Sequence, residues 1–381
     1  MKSNYEALGN HIRLVDDRNS EQISNNVLGI SIDKEFMPSV ANVIGTDLSR
    51  YKLIRKGLFA CNPMHVGRDE RLPIALYENE APAIVSPAYF MFEIVDRTIL
   101  NDEYLMMWFR RPEFDRECWF MTDGSVRGGI TWDDLCRIQL PVPPYEQQLE
   151  IVESYRSITR RIAMKKKIND NLAETLGTVF NNLYQDIDDA NTSTFGELCS
   201  LASSKRVFAE DYTSEGIPFY RGKEITQKRN GESINDPLYI GIEHYELLKK
   251  NYGVPSCGDI LITAVGTIGN SYLVQDGDFY FKDGNIIWLK DFCNSGLNYY
   301  LYDYMQTSIF KRELEGICIG STQTALTIVA LSNLKVKIPD NSTLKAYCAN
   351  SRVVRNTIQV NNAEILHLAM VAQSILASLS S

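Results

Sequence analysis

The chain has 381 residues, of which 44% are hydrophobic and 23% charged, and a formal net charge of −9. That length holds two or three domains with cores of their own, and the acidic total speaks against a protein that coats nucleic acid through charge alone, although local patches of opposite sign or a basic partner can supply phosphate contacts. No apolar run has the length of a membrane span and the N-terminus carries no signal-peptide pattern, so a cytoplasmic location with no membrane partner is expected.

A repeated unit opens near Tyr5. Its first residues, Leu8-Gly9-Asn10-His11-Ile12, have a counterpart 187 residues on in Phe195-Gly196-Glu197-Leu198-Cys199. Leu58-Phe59-Ala60 and Tyr89-Phe90-Met91-Phe92 read as short strands. Tyr104–Phe114 reads as a short amphipathic helix, and Tyr300–Phe310 repeats it 196 residues later. With that offset held, Gly124-Ser125 falls on Gly320-Ser321, Thr131 on Thr327, Leu135 on Leu331 and Pro143 on Pro339. A fixed spacing over about 40 positions implies a duplicated half-chain, hence two similar domains related by pseudo-symmetry. The change of offset places the length difference in the middle of each unit. Two recognition modules with different targets have this signature; so does loop drift after duplication.

Helix follows each unit. Pro141-Val142-Pro143-Pro144 is a stiff lead-in. Ile151, Tyr155, Ile158, Ile162, Ile168, Leu172, Leu176, Val179 and Leu183 then recur mostly at three or four residues, which predicts one helix from Glu146 to Tyr184. Such a helix is about 55–60 Å long and needs a partner to cover its stripe. The second stripe is C-terminal: Leu344, Tyr347, Val354, Ile358, Ile365, Leu368, Val371, Ile375 and Leu379. Asn171-Leu172-Ala173-Glu174 matches Asn361-Asn362-Ala363-Glu364. An antiparallel pair would set the two globular units at the ends of a rod. The basic run Arg156, Arg160, Arg161, Lys165, Lys166 and Lys167 is either a solvated helix face or a surface turned to DNA or an acidic partner. In the second unit, Ile260–Thr263 and Ile286–Leu289 are strand-like, punctuated by Gly258-Asp259, Gly277 and Asp283-Gly284.

The chemistry of a self-contained enzyme is missing from the pattern. The eight cysteines and four histidines are scattered, without zinc spacing, so the cysteines read as reduced core thiols. There is no phosphate loop and no paired-histidine metalloprotease motif. Pro143-Pro144-Tyr145 is similar to the catalytic loop of amino-methyltransferases, but Val142 stands where an Asn or Asp must hold the target amine, and no glycine-rich methyl-donor loop lies upstream. A helix lead-in explains the prolines better.

Several segments together carry a resemblance. These are Gly258-Asp259-Ile260-Leu261-Ile262-Thr263 with Gly266-Thr267-Ile268-Gly269, Ile217-Pro218-Phe219-Tyr220-Arg221-Gly222-Lys223-Glu224-Ile225, Gly320–Leu326, and Leu140-Pro141-Val142-Pro143-Pro144-Tyr145-Glu146-Gln147-Gln148. In order, spacing and duplication the whole chain resembles the specificity subunit of type I restriction–modification enzymes. Two departures stand out. The second helix is led by Ile338-Pro339-Asp340-Asn341-Ser342, without the double proline or Glu-Gln, and the first unit has Gly57–Gly67 in place of the glycine-rich signature.

The resemblance implies an α+β fold: two mixed α/β target-recognition domains, residues 1–144 and 191–340, each followed by a conserved helix, 145–190 and 341–381. The helices form an antiparallel coiled coil in a pseudo-twofold repeat. It implies a non-catalytic subunit that reads a bipartite site in double-stranded DNA and docks two adenine-N6 methyltransferase subunits, with translocating nuclease subunits as further partners. No cofactor is expected on this chain; S-adenosylmethionine belongs to the methyltransferase. Base and phosphate contacts call for Arg, Lys, Asn, Gln and small hydroxyls in the divergent middles and Gly-Ser loops. The candidates are Asn62, His65, Arg68, Arg71, Ser125 and Arg127 in the first unit, and Arg221, Lys223, Thr267, Lys282, Thr322 and Gln323 in the second. For each the alternative is a solvated loop residue, and for His65 a structural histidine. The helix-pair residues are Ile151, Tyr155, Ile158, Ile162, Leu172, Leu176, Ile358, Ile365, Leu368 and Ile375. The competing function, suggested by the acidic total, is a scaffold of a methyltransferase complex that does not itself read DNA.

Overall fold

A computed structural model describes residues 5–40, 45–64, 66–122, 128–275, 277–318 and 324–379. Contacts divide the chain into one unit made of Met1–Ile162 with His367–Ser381 and another made of Ala163–Leu366.

In the first unit the chain runs β1 (Tyr5–Ala7), β2 (Ile12–Leu14), β3 (Val27–Ile30), β4 (Phe36–Pro38), β5 (Lys52–Ile54), β6 (Phe59–Cys61), α1 (Val66–Asp69), β7 (Ile74–Leu76), β8 (Ala83–Val85), β9 (Phe90–Ile94), α2 (Asp102–Phe109), α3 (Pro112–Phe120), α4 (Trp132–Arg137), β10 (Gln139–Pro141) and the start of α5 (Tyr145–Asp186). Strand β1 pairs with β10, one sheet has the order β2-β9-β6-β7, and another β4-β3-β8-β5 with β3 and β8 parallel. Strand β6 shows why these runs read as continuously apolar. Phe59 and Cys61 face one buried cluster with the helices, and Ala60 faces a second on the other side of the sheet. The helical segment foreseen across Tyr104–Phe114 is two helices. Arg110 ends α2, and Pro112 at the first position of α3 sets a new start.

The second unit continues α5, then β11 (Thr192–Thr194), α6 (Phe195–Leu198), β12 (Ser200–Ala202), β13 (Tyr212–Thr213), β14 (Ile217–Tyr220), α7 (Gly222–Arg229), β15 (Leu238–Ile240), α8 (Ile242–Tyr252), β16 (Ile260–Thr263), β17 (Ser271–Leu273), β18 (Tyr280–Phe281), β19 (Ile286–Lys290), α9 (Leu297–Met305), α10 (Ser308–Ile317), α11 (Ile328–Asn333), β20 (Lys335–Lys337) and α12 (Asn341–Ser378). Its sheets are β11-β20, β12-β19-β16-β17 and β13-β15-β14-β18. The first two copy the first unit strand for strand. The third keeps a parallel pair beside an antiparallel one, but its extra strand β13 lies on the edge opposite to that taken by β5.

The framework repeats down to single hydrogen bonds. The Tyr104 hydroxyl donates to Pro141 O (3.2 Å) and that of Tyr300 to Lys337 O (2.7 Å). Thr131 caps α4 and Thr327 caps α11. Leu8 N donates to Ile138 O and Phe195 N to Leu334 O. Gly9 and Gly196 are needed at these crossings, because a Cβ would meet Cys136 at 2.8 Å in one and Ser332 at 2.3 Å in the other.

Helices α5 and α12 run antiparallel through the second unit. Asn361 Nδ2 donates to Asn169 Oδ1 (2.8 Å), Asn169 Nδ2 to Asn362 Oδ1 (2.8 Å), and Lys165 pairs with Glu364 (2.7 Å), while Phe180 packs edge-on against Tyr347. Leu172, Leu176, Ile358 and Ile365 are buried or half-buried on this seam; in the first unit Ile151, Tyr155, Ile158, Ile162, Leu368 and Ile375 are half-buried too. The foreseen stripe needs correcting at two places. Ile168 (46% exposed) and Val179 (50%) face outward, and Asn169 and Phe180 hold the seam instead. The cysteines also need correcting: none is in a disulfide, but Cys257 and Cys293 are exposed rather than core thiols.

Candidate nucleic-acid interface

Each unit brings two loops together. The loop after β6 meets the segment before α4, where Ile130 N donates to Pro63 O (3.1 Å) and Gly67 N to Gly128 O (3.0 Å). The loop after β16 makes the matching contact, Leu326 N to Ala264 O (2.9 Å), and Val265 bridges to Ala325. The glycine-rich turn between β16 and β17 depends on positive φ at Gly266 and Gly269, and Thr263 Oγ1 ties it down by donating to Thr267 O and accepting from Asn270 N.

Helix α7 stands beside this turn. Glu224, three residues after Arg221, folds its carboxylate back to accept from the Arg221 N–H (2.8 Å) and guanidinium (2.8 Å). Burial alone would raise the Glu224 carboxyl, but these bonds hold it below the usual range. An open groove of about 460 Å³ lies between α7 and the turn; Lys223, Thr226, Gln227, Gly266, Thr267 and Asn285 line it. Arg221 is thus committed to Glu224, whereas Lys223 is exposed, with no ion-pair partner among the described residues. The Thr267 hydroxyl lies 3.4 Å from that of Thr226. Lys282 donates its backbone N–H to Tyr220 O at the near edge of the sheet.

The first-unit candidates are differently placed. Asn62 Oδ1 accepts from Met64 N (3.2 Å). Arg68 is bidentate to Asp69 (2.7 and 2.9 Å), and Arg71 reaches Asp33 (3.3 Å). Both guanidinium groups therefore sit beside carboxylates that offset their charge. His65, Ser125, Arg127, Thr322 and Gln323 lie outside the described residues. Gln227 and Asn285 escaped the sequence reading. The Arg221-x-x-Glu224 spacing was the available signal that a helix starts there and turns Gln227 to the side of Lys223.

The basic run on α5 is only partly a solvated face. Arg156 pairs with Glu103 and Lys165 with Glu364, while Lys166 and Lys167 are exposed. Apolar side chains are exposed on the same helices: Met164, Ile168, Val179, Val353, Val360 and Leu366 in the second unit, Leu149 and Met370 in the first. Among the described residues no group of three His, Cys, Asp or Glu side chains is placed to hold a metal ion, and no helix is long and apolar enough to cross a membrane.

A duplicated module of this fold, each copy trailed by a long helix, defines a class. Residues 187–368 match the family described as the type I restriction modification DNA specificity domain. A putative type I restriction enzyme specificity subunit of Haemophilus influenzae is 29% identical over 225 residues, 57% of this chain and 55% of that protein, so the chain spans about half the length of the curated relative it matches. The S subunit of a type I restriction–modification system from M. genitalium shares the fold, with a TM-score of 0.60 at 14% identity, covering 98% of this chain and 95% of that one. The HsdS subunit from Thermoanaerobacter tengcongensis aligns over 100% and 97% of the two chains with a TM-score of 0.37 at 15% identity. Residues 187–368 thus carry the sequence pattern of that specificity domain, and the chain as a whole is similar in fold to type I restriction–modification specificity subunits.

Proposed function

We propose that this chain is the DNA-reading subunit of a type I system in the cytoplasm, and that it is not itself catalytic. Each unit reads one half of a bipartite site, the helix pair sets the gap between halves, and two methyltransferase subunits carry S-adenosylmethionine and methylate an adenine in each half at N6. The flipped-out adenine is handled by those subunits. One observation carries this reading: the same pair of loops, joined at Pro63–Ile130 and at Ala264–Leu326, recurs on the same framework with different surrounding elements. Two copies with different decorations suit two different half-sites. The exposed apolar residues of α5 and α12 support docking of helical partners there.

The test is single-molecule sequencing of DNA from cells with and without this chain, its methyltransferase being present in both. Gain of N6-methyladenine in one motif of two half-sites with a fixed gap is the expected result. No gain, despite a stable complex, favours the competing reading of a scaffold that does not read DNA. The neutralised Arg68 and Arg71 of the first unit are the observation behind that second reading.

A further inference from the structure

Helix α7 has no counterpart in the first unit, where the corresponding sheet carries no helix between β3 and β4. Its side chains divide cleanly by what they already do. Ile225 is buried in the core, and Glu224 is buried against Arg221. Thr226 donates to Gly222 O (2.9 Å) and accepts from Asn270 Nδ2 (3.0 Å). Arg229 is held by Asn270 Oδ1 and Gln306 Oε1, both at 3.0 Å. Lys228 lies partly buried over the Tyr220 ring, where loss of water lowers its ammonium pKa. Two residues are left over. The side chains of Lys223 and Gln227, one helical turn apart, line the groove with no hydrogen-bond partner for their polar ends among the described residues. The Asn285 side chain joins them from the sheet, and no carboxylate lines the groove in a chain whose net charge is −9.

An unpaired ammonium beside two unpaired carboxamides is the donor and acceptor set that reads base edges. A carboxamide can pair in bidentate fashion with adenine N6 and N7, and the major groove admits a helix. We infer that α7 is the recognition helix of the second unit, with Gln227 reading an A·T pair in its half-site and Lys223 holding the adjacent phosphate. This rests on the two-module reading proposed above and adds which residue sets specificity in one module.

The test uses the complete complex with its methyltransferase subunits, and sequences the methylated motif for the parent chain, Gln227→Ala and Gln227→Glu. Gln227→Ala is expected to relax one base position in one half-site by about ten-fold or more, leaving the gap and the other half-site unchanged. Gln227→Glu is expected to lose the preference for A·T at the same position. Lys223→Ala is expected to weaken binding to cognate and unrelated DNA alike, with the salt slope reduced by about one. If both Gln227 variants keep the parental motif at every position, or if both half-sites change, the inference is overturned although the two-module reading stands. If the parent complex marks no bipartite motif, both fail together.

Discussion

Single residues show how the duplication has been re-tuned. Asp303 in α9 is nearly buried and accepts from the Tyr347 hydroxyl (2.7 Å), the Ser351 hydroxyl (2.5 Å) and Arg355 Nε (3.0 Å), all on α12. The same framework position in the first unit is Met107. Asp303→Asn keeps the shape but leaves the largely buried Arg355 guanidinium without its counter-charge, so denaturant unfolding should show a loss of about 3–5 kcal/mol. Replacing Asp303 and Arg355 together with Met should recover only part of it: the uncompensated charge is gone, but the buried Tyr347 and Ser351 hydroxyls lose their acceptor. A second exchange explains the departing helix lead-in. Gln148, fully buried, accepts from Asn101 N and donates to Ile99 O and Pro143 O; its counterpart Leu344 packs in a cluster that includes Leu297, the counterpart of Asn101. Without that glutamine, α12 is started by Asp340, whose carboxylate accepts from Ser342 N (2.9 Å) and Thr343 N (3.1 Å). Hydrogen bonds from the Ser342 and Thr343 hydroxyls, then from the backbone, hold this carboxyl well below its ordinary value. A depressed folded pKa stabilises above the unfolded value and is lost as the pH falls through the folded one. Asp340→Ala should therefore lower the thermal midpoint at neutral pH, and its difference from the parent should close in strong acid.

At the scale of elements, the seam of α5 with α12 was legible where it is apolar and illegible where it is polar. Spacing alone put Ile168 on the seam because isoleucine fits an apolar stripe. The packed residue is Asn169, which is 9% exposed and bonded to Asn361 and Asn362. A lone polar residue at such a position fixes register at a cost in stability. Asn361→Leu should cost about 1–3 kcal/mol in denaturant unfolding, since it leaves the Asn169 carbonyl and Lys165 short of a partner. Changing both Asn169 and Asn361 to Leu should restore or exceed the parent's stability. A double variant weaker than either single one would rule out the register role. The strands were found where three or four apolar residues run together, as in Ile260–Thr263 and Ile286–Lys290. Tyr212–Thr213 could not be found from pattern, because two residues have no period.

Across the whole molecule, what the sequence disclosed was the framework, and what it hid was which side chains are already occupied. From α4 through β10 the two units keep one offset, so identity of position was readable without any structure. Residue type alone could not separate Arg68, spent on Asp69, from Lys223, which faces a groove. That difference arises from neighbours brought in by folding. The matched seam also makes the gap hypothesis testable. On the proposed reading, removing one heptad from each helix, residues 163–169 and 360–366, deletes facing stretches with both partners of the Lys165–Glu364 and Asn169–Asn361 pairs and keeps the remaining stripes in phase. The pair shortens by about 10 Å, which is about three base pairs of duplex. Sequencing of the methylated motif should show both half-sites unchanged and the gap reduced by about that amount. Deleting residues 170–173 and 357–360 instead breaks the phase of the stripe, and should reduce assembly before it yields a new gap. A heptad deletion that alters the half-sites and leaves the gap intact would mean that the helices do not set the spacing.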